Sequence, residues 1–320
     1  MGRGAGVVHA ERVLKVISGS DAASSALAAS WRRSGRLHAL DPASRALPQR
    51  LAAAQIAEAQ DRLGPMLRVA QASLDRLFLA VGGVGCSVLL ADRSGLVVDR
   101  RGAAGDDSTF DAWGLWTGAV WSEKLEGTNG IGTCLVEQRP LTIDRDQHFF
   151  TRNALLSCTT APIYDEHGEL AAALDVSSCR AELTEGFVRL IATAIADAAR
   201  AIEAENFRHA FPAARIVLPP ASERAGISLI AVDKGDLVVG ATRAARIAFG
   251  ISAERLARPM PARDLIGGGQ GDDDRIEAAE RAVLQRALAR SGGNVSKAAK
   301  DLDVSRATLH RKMNQLGLRR

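Results

Sequence analysis

The sequence predicts a multidomain α+β chain, in which an α/β domain follows a helical N-terminal region and a separate all-α module closes the C-terminus. Short apolar runs separated by turn residues fill residues 86–177, the pattern of a sheet. Helical stripes follow, one of four turns and then three shorter ones. The charge is uneven: residues 272–320 hold 11 Lys/Arg against seven Asp/Glu, a net of +4 that equals the formal charge of the whole chain. The remaining residues balance at 30 against 30, so a basic module sits on a neutral body.

The chain of 320 residues, 47% hydrophobic and 24% charged, has a globular composition with room for two or three domains. Its longest apolar stretch, Leu77 to Ala91, carries three glycines and a serine and falls short of the roughly 20 residues that span a bilayer. The start "MGRGAGVVHAERVLKV" lacks the apolar core of a signal peptide, so a cytoplasmic protein without membrane association is expected. Cys86, Cys134, Cys158 and Cys179 show no metal-ligand spacing. Reduced, buried thiols are one reading, and thiol sensing at Cys134 or Cys158 is the other. Neither a metal, nor a cofactor, nor a catalytic constellation is expected.

In chain order, residues 1–73 form the N-terminal helical region and 74–207 the α/β domain. There "CSVLLADRSGLVVDRRG" reads as two strands around Arg93-Ser94-Gly95, and Pro140–Ile143, Ser157–Tyr164 and Leu170–Ser177 supply three more. A helix from Thr184 to about Phe207 repeats Phe187, Leu190, Ile191, Ala194, Ile195, Ala198 and Ile202 along one face. Residues 208–266 hold two further strands around Lys234-Gly235-Asp236 and a helix, and "GGGQGDDD" at 267–274 reads as a flexible tether.

The stretch "GTNGIGT" at 127–133 invites a phosphate-binding reading, but its glycines fit neither G-x-G-x-x-G nor G-x-x-x-x-G-K-[ST]. Just before it Trp113, Trp116 and Trp121 cluster, either as a ligand wall or as a core layer. Thr128, Asn129 and Thr133 offer polar contacts or helix caps. With His148, Phe149, Cys158 and Thr160 they complete the candidate pocket for a small organic ligand, which needs an apolar enclosure with a few placed donors.

The last segment, 275–320, breaks into three helices. Ile276, Ala279, Val283, Leu284, Ala287 and Leu288 stripe the first; Asn294 caps the second and Ser305 the third. Two short helices joined by a tight turn, the second opening with Arg and Thr, form a helix-turn-helix. Asn294, Lys297, Ser305, Arg306, Thr308, His310, Arg311 and Lys312 are the candidate DNA-binding residues. The string "GNVSKAAKDLDVSRATLHRK" resembles the Fis-type helix-turn-helix of bacterial regulators, which implies a dimer on a two-fold site in double-stranded DNA.

A second resemblance covers about 200 residues. "SWRRSGRLHALDP", then "WSEKLEGTNGIGTCLVEQRPLTIDRDQHFFTRNALLSCTTAPIYDEHGELAAALDVSS", are similar to the GAF sensor region of acetoin-catabolism-type activators. The resemblance implies a GAF-like sensor over 74–207, with the glycine loop leading into a helix beside the ligand pocket; residues 208–266 resemble a truncated PAS-like segment. Activators of that type carry an AAA+ ATPase between sensor and helix-turn-helix, and here only residues 213–274 separate them. The expected function is therefore a ligand-responsive regulator without ATPase activity, a homodimer acting on DNA, with RNA polymerase as a further expected partner. A GAF-fold thiol enzyme, such as a methionine sulfoxide reductase, and a ligand-independent DNA-architectural protein are the competing readings.

Overall fold

The computed structural model describes residues 3–19, 25–179, 184–219, 227–266 and 272–318. Two compact units result, Met1–Ala262 and Arg263–Arg320. Residues 267–271 of the expected tether lie outside the described residues, and Asp272 already opens a helix.

The first unit begins with α1 (Arg3–Ser18), α2 (Ala26–Arg32), α3 (Ala53–Leu63) and α4 (Pro65–Val81). Ser25 caps α2 by accepting from the Ala28 amide, and α2 runs on into a π-helical turn to Leu37. Strands β1 (Cys86–Asp92) and β2 (Val97–Arg101) follow, then α5 (Asp107–Ala112), α6 (Glu123–Glu126) and α7 (Gly130–Glu137). Strands β3 (Leu141–Asp144), β4 (Ser157–Tyr164) and β5 (Leu170–Ser178) complete an antiparallel five-stranded sheet of order β2-β1-β5-β4-β3. The helix α8 (Glu185–Ala210) leaves it, capped by Thr184.

Alternation along the strands sorts two cores. Val88 and Leu90 of β1, Ile163 of β4 and Leu174 and Val176 of β5 pack with Leu74, Leu77 and Val81 of α4 and Ile191, Ile195 and Ile202 of α8. Leu89 and Ala91 turn the other way, toward Phe110, Leu115, Trp121, Ile131 and Leu156. The central strands are thus covered on both faces, which is why "CSVLLAD" reads as an unbroken apolar run. Each fully buried Leu or Ile contributes about 1.5–3 kcal/mol through removal of apolar surface from water.

Past the sheet, β6 (Arg215–Val217), β7 (Ile230–Val232) and β8 (Val238–Ala241) form a small antiparallel sheet, followed by α9 (Arg243–Phe249) and α10 (Ala253–Leu256). The end of α8 supplies Ala204 and Phe207 to its core beside Leu229 and Ala231. One helix therefore contributes to both sheets.

The second unit holds α11 (Arg263–Ile266), α12 (Asp272–Arg290), α13 (Val295–Asp301) and α14 (Arg306–Gln315). Leu284 and Ala287 of α12, Val295, Ala298 and Ala299 of α13, and Leu309, Met313 and Leu316 of the last segment share one core. Asp303 takes a left-handed φ of 54° in the turn before Ser305.

The glycines of "GTNGIGT" serve close packing. Gly127 has a φ of 59°, open to glycine at little steric cost. Gly130 and Gly132 lie inside α7, where a Cβ on Gly130 would stand 2.6 Å from Thr160 Oγ1 and 2.7 Å from Cys158 Cβ. A Cβ on Gly132 would stand 2.3 Å from the Glu123 amide nitrogen and 2.7 Å from the Trp121 carbonyl oxygen. Backbone cannot swing aside as a side-chain tip can. Gly132→Ala is therefore expected to lower the unfolding free energy of the first unit by about 2 kcal/mol or more, as overpacking does. Gly186→Ala, in α8 with open space around it, should instead gain about 0.5–1 kcal/mol from helix propensity. Urea denaturation of the two variants beside the parent checks both signs.

Candidate functional site

The two motifs that stand far apart in the chain meet in space. Ser30 Oγ donates to Glu123 Oε2 at 3.0 Å and lies 2.7 Å from Thr128 Oγ1, with Ser34 Oγ 3.4 Å from the same hydroxyl. Arg33 donates through Nε to Glu123 Oε1 at 2.7 Å and through Nη2 to Glu137 at 2.8 Å. The Glu123 side chain is 1% exposed, so its charge is held by Arg33 and Ser30 rather than by water. Trp31 Nε1 donates to the Gln147 carbonyl at 2.8 Å.

The loop residues are engaged in this frame. Asn129 Oδ1 accepts from the Gly132 amide at 2.8 Å, capping α7, and its Nδ2 donates to the Gly127 carbonyl at 2.8 Å. Thr133 Oγ1 accepts from the Asn129 amide at 3.2 Å. Thr128 and Thr133 border a small cavity of about 220 Å³ with Leu141 and Ile143.

On the sheet beneath α7, Thr160 Oγ1 donates to Asp175 Oδ1 at 2.5 Å, and Ser177 Oγ donates to Asp175 Oδ2 at 2.6 Å while standing 3.1 Å from Cys158 Sγ. Burial pushes the Asp175 carboxyl up to about 6, the two hydroxyls pulling the other way. Burial also raises the thiols of Cys134 and Cys158, with Asp175 adding to the effect. Gly130 closes directly over Cys158, Thr160 and Asp175, so these side chains meet α7.

The tryptophans divide. Trp121 is core, its Nε1 donating to the Gly114 carbonyl at 2.8 Å. Trp116 lies under the Arg100 guanidinium, 4.1 Å from ring centroid to Cζ. Trp113 lines an open cleft beside α1. Phe149 packs with Val13, Trp31 and Phe150. His148 is wholly buried, its Nδ1 2.9 Å from the Arg145 carbonyl, and burial lowers its pKa to about 4. Ser30, Arg33, Ser34, Glu123, Asp175 and Ser177 were not singled out as site residues from sequence. Ser30, Arg33 and Ser34 stand in the quoted N-terminal motif and Glu123, Asp175 and Ser177 in the longer second one, so the motifs themselves were the available signal.

In the second unit Asn294 caps α13 by accepting from the Lys297 amide at 3.1 Å, and Ser305 caps α14 by accepting from the Thr308 amide at 3.1 Å. The Ser305 and Thr308 hydroxyls lie 2.8 Å apart, engaged with each other. Leu309, Met313 and Leu316 turn inward, leaving Arg306 and Arg311 exposed and His310 half-buried. Lys297 is exposed on α13, whereas Lys312 pairs with Glu280 of α12. The arrangement leaves the N-terminal end of α14 exposed, as the recognition helix of a helix-turn-helix requires.

A capped helix-turn-helix joined to an α/β body of this topology defines a modular DNA-binding regulator. Residues 65–202 match the GAF domain, and residues 275–316 match the family described as bacterial regulatory protein, Fis family. The chain belongs to the regulators that combine a GAF domain with a Fis-family helix-turn-helix. It is 34% identical over 226 residues to the acetoin catabolism regulatory protein of Cupriavidus necator, covering 68% of this chain and 33% of that protein. It is 31% identical over 173 residues to AcoR, the acetoin dehydrogenase operon transcriptional activator of Bacillus subtilis, covering 54% and 28%. It is 28% identical over 173 residues, again 54% and 28%, to MimR, the propane 2-monooxygenase operon transcriptional activator of Mycolicibacterium smegmatis. The chain thus spans a third or less of the length of these curated relatives. Among solved structures, the E. coli DhaR(N)–DhaL complex superposes with a TM-score of 0.50 at 18% identity, over 71% of this chain and 76% of that one, a likeness of fold. No helix among the described residues is long and apolar enough to cross a membrane.

Asp175 and His148 titrate in opposition. With a folded pKa near 6 against about 3.8 unfolded, Asp175 keeps a proton that the unfolded chain releases, so its contribution to stability is lost as pH rises through that window. His148, held near 4 against 6.5, contributes stability that is lost as pH falls through the same range. Asp175→Asn should remove the first slope and expose the second. Urea titrations at pH 6.5 and 4.5 should show the variant losing about 2 kcal/mol more than the parent on acidification.

Proposed function

We propose that this chain is a ligand-responsive transcriptional regulator in which the GAF body senses a small organic molecule and the Fis-type module binds double-stranded DNA as a homodimer. The observation that carries the reading is α14, capped at Ser305, anchored through Leu309 and Met313, and exposing Arg306 and Arg311. Of the ligand candidates from sequence, Trp121, Thr128, Asn129, Thr133, Cys158 and Thr160 gather at α7, whereas Trp113, Trp116, His148 and Phe149 have other surroundings; the names of the acetoin and propane 2-monooxygenase relatives favour a small organic effector. The printed name of the DhaR(N)–DhaL complex favours a protein contact as a further input, and in this reading RNA polymerase receives the output. Residues 203–274 separate the two matched segments, and the sequence holds no G-x-x-x-x-G-K-[ST], which favours regulation without ATP turnover in the cytoplasm. The thiol-enzyme reading is weakened by burial, which raises Cys134 and Cys158 away from the reactive thiolate.

Two expectations follow from the module. Arg306→Ala should relax specificity at one base position at a cost of about 1–3 kcal/mol, while Lys297→Ala weakens specific and random DNA alike. Fluorescence anisotropy on operator and scrambled duplexes separates them; equal losses for Arg306→Ala would take it out of the base-reading set. Operator affinity should also be unchanged by ATP and altered by a member of a panel of small ketones, aldehydes and alcohols. ATP-dependent binding would sink the first part, and a flat response to the whole panel would sink the second.

A further inference from the structure

A further opening in the first unit lies away from the sheet beneath α7. A cleft of about 710 Å³ falls within the roughly 300–1,000 Å³ of small-molecule sites. One wall is α1, through Val7, Ala10 and Leu14; the other is Leu47, Trp113 and Leu155. Val7, Leu14, Leu47 and Leu155 are 58%, 51%, 63% and 43% exposed, so the walls present apolar surface that the protein itself leaves uncovered.

Two buried donors border this apolar space. Arg152 and Asn153 both line the cleft; Arg152 Nε is buried without a hydrogen-bond partner, and Asn153 Nδ2 makes no hydrogen bond of good geometry while its side chain faces the Glu126 carboxyl. Asn153 is 1% exposed. A buried donor left unpaired has lost its water without gaining a partner, a penalty that an incoming acceptor relieves. The charge there is already balanced, because Arg152 pairs with Glu126, whose side chain is 4% exposed. A carboxylate ligand would set a second anion beside Glu126, whereas a carbonyl or hydroxyl oxygen offers the acceptor without the charge. At the rim Glu11 and Arg45 bring one charge of each sign.

α1 is fastened over this region. His9 Nε2 lies 3.1 Å from the His148 carbonyl, Arg12 pairs with Asp146, and Thr151 Oγ1 donates to the Gly6 carbonyl at 3.3 Å. The same segment, 145–153, carries both the fastenings of α1 and these donors. A molecule seated between them touches both sides.

We propose that the cleft between α1 and residues 151–155 binds a small uncharged molecule with an apolar skeleton and a ketone or hydroxyl oxygen, which accepts from Arg152 and Asn153. The assignment rests on the ligand-responsive reading and gives it a site built by α1 and Leu47, outside the matched GAF segment, together with Trp113 and residues 151–155, inside it. Of the ten sequence candidates, Trp113 is the one that lines it.

The test uses the full chain and a diazirine-bearing aliphatic ketone as photo-probe, with labelled peptides mapped by mass spectrometry. Labels on Val7–Leu14, Trp113 or Arg152–Leu155 are expected, and excess 2-butanone should compete them away. Leu155→Trp, which fills the cleft from an exposed position, should cut this labelling about tenfold, equivalent to some 1.4 kcal/mol, with the circular dichroism spectrum and melting temperature kept. Asn153→Leu should weaken 2-butanone competition about fivefold through loss of one donor. Labelling that falls on β4, β5 or α7 instead overturns the cleft while leaving ligand sensing by the GAF body standing. Labelling unaffected by Leu155→Trp or by 2-butanone also overturns it. Absence of labelling, together with operator affinity that no panel member alters, overturns both the site and the sensor reading.

Discussion

The first unit depends on the buried pairing of Glu123 with Arg33. A carboxylate 1% exposed cannot be left alone, because removing one partner of such a pair costs about 3–5 kcal/mol. Arg33 comes from the segment after α2, some ninety residues away in sequence, and Ser30, one turn earlier, donates to the same carboxylate. The N-terminal helices are thereby fixed to the body by charge as well as by the packing of Trp31 with Phe149 and Phe150. Hydrophobic contact alone would tolerate sliding, whereas a two-point guanidinium–carboxylate contact sets one register.

The sheet and its exit helix were legible in the sequence because their signals are local. Ser157–Tyr164 matches β4 end to end, β5 runs one residue past the expected Ser177, and α8 runs three past Phe207. Period-two alternation and the turns at Gly95 and Gly168 suffice for those. The helix-turn-helix was legible for the same reason: Asn294 and Ser305 cap in the structure as their residue types suggest. Less legible was the work of α7. Nothing local says that Gly130 and Gly132 sit inside a helix, since glycine is a poor helix former; only the sheet beneath, with Thr160, Cys158 and Asp175 in contact range, makes their missing side chains necessary.

The polar candidates were harder still. Thr128, Asn129 and Thr133 were readable either as ligand contacts or as caps, and in this structure each hydrogen-bonds within the protein. Composition cannot decide between those roles, because a hydroxyl that caps and a hydroxyl that binds are the same group. Arg33 and Glu123 were opaque for a different reason: a charged residue in sequence looks solvated until its partner, distant in the chain, is placed beside it. The donors of Arg152 and Asn153 become notable only by their lack of well-placed acceptors, a property of the fold and not of residue type.

α6 shows how such a site can reach the rest of the body. This helix of four residues has a buried carboxylate at each end, Glu123 held by Arg33 and Glu126 held by Arg152. Burial pushes Glu126 up to about 7 while Arg152 pulls it down, so the ionised form depends on keeping that guanidinium close. An oxygen that draws Arg152 toward the cleft weakens its hold on Glu126 and lowers the cost of moving the C-terminal end of α6. The N-terminal end cannot follow independently, since the Glu123 amide stands where a Cβ on Gly132 would have to be. Gly132 thus lets α7 sit directly against the backbone of α6, and Gly130 lets it sit directly against Asp175 on the central strand, with no room for a side chain at either contact.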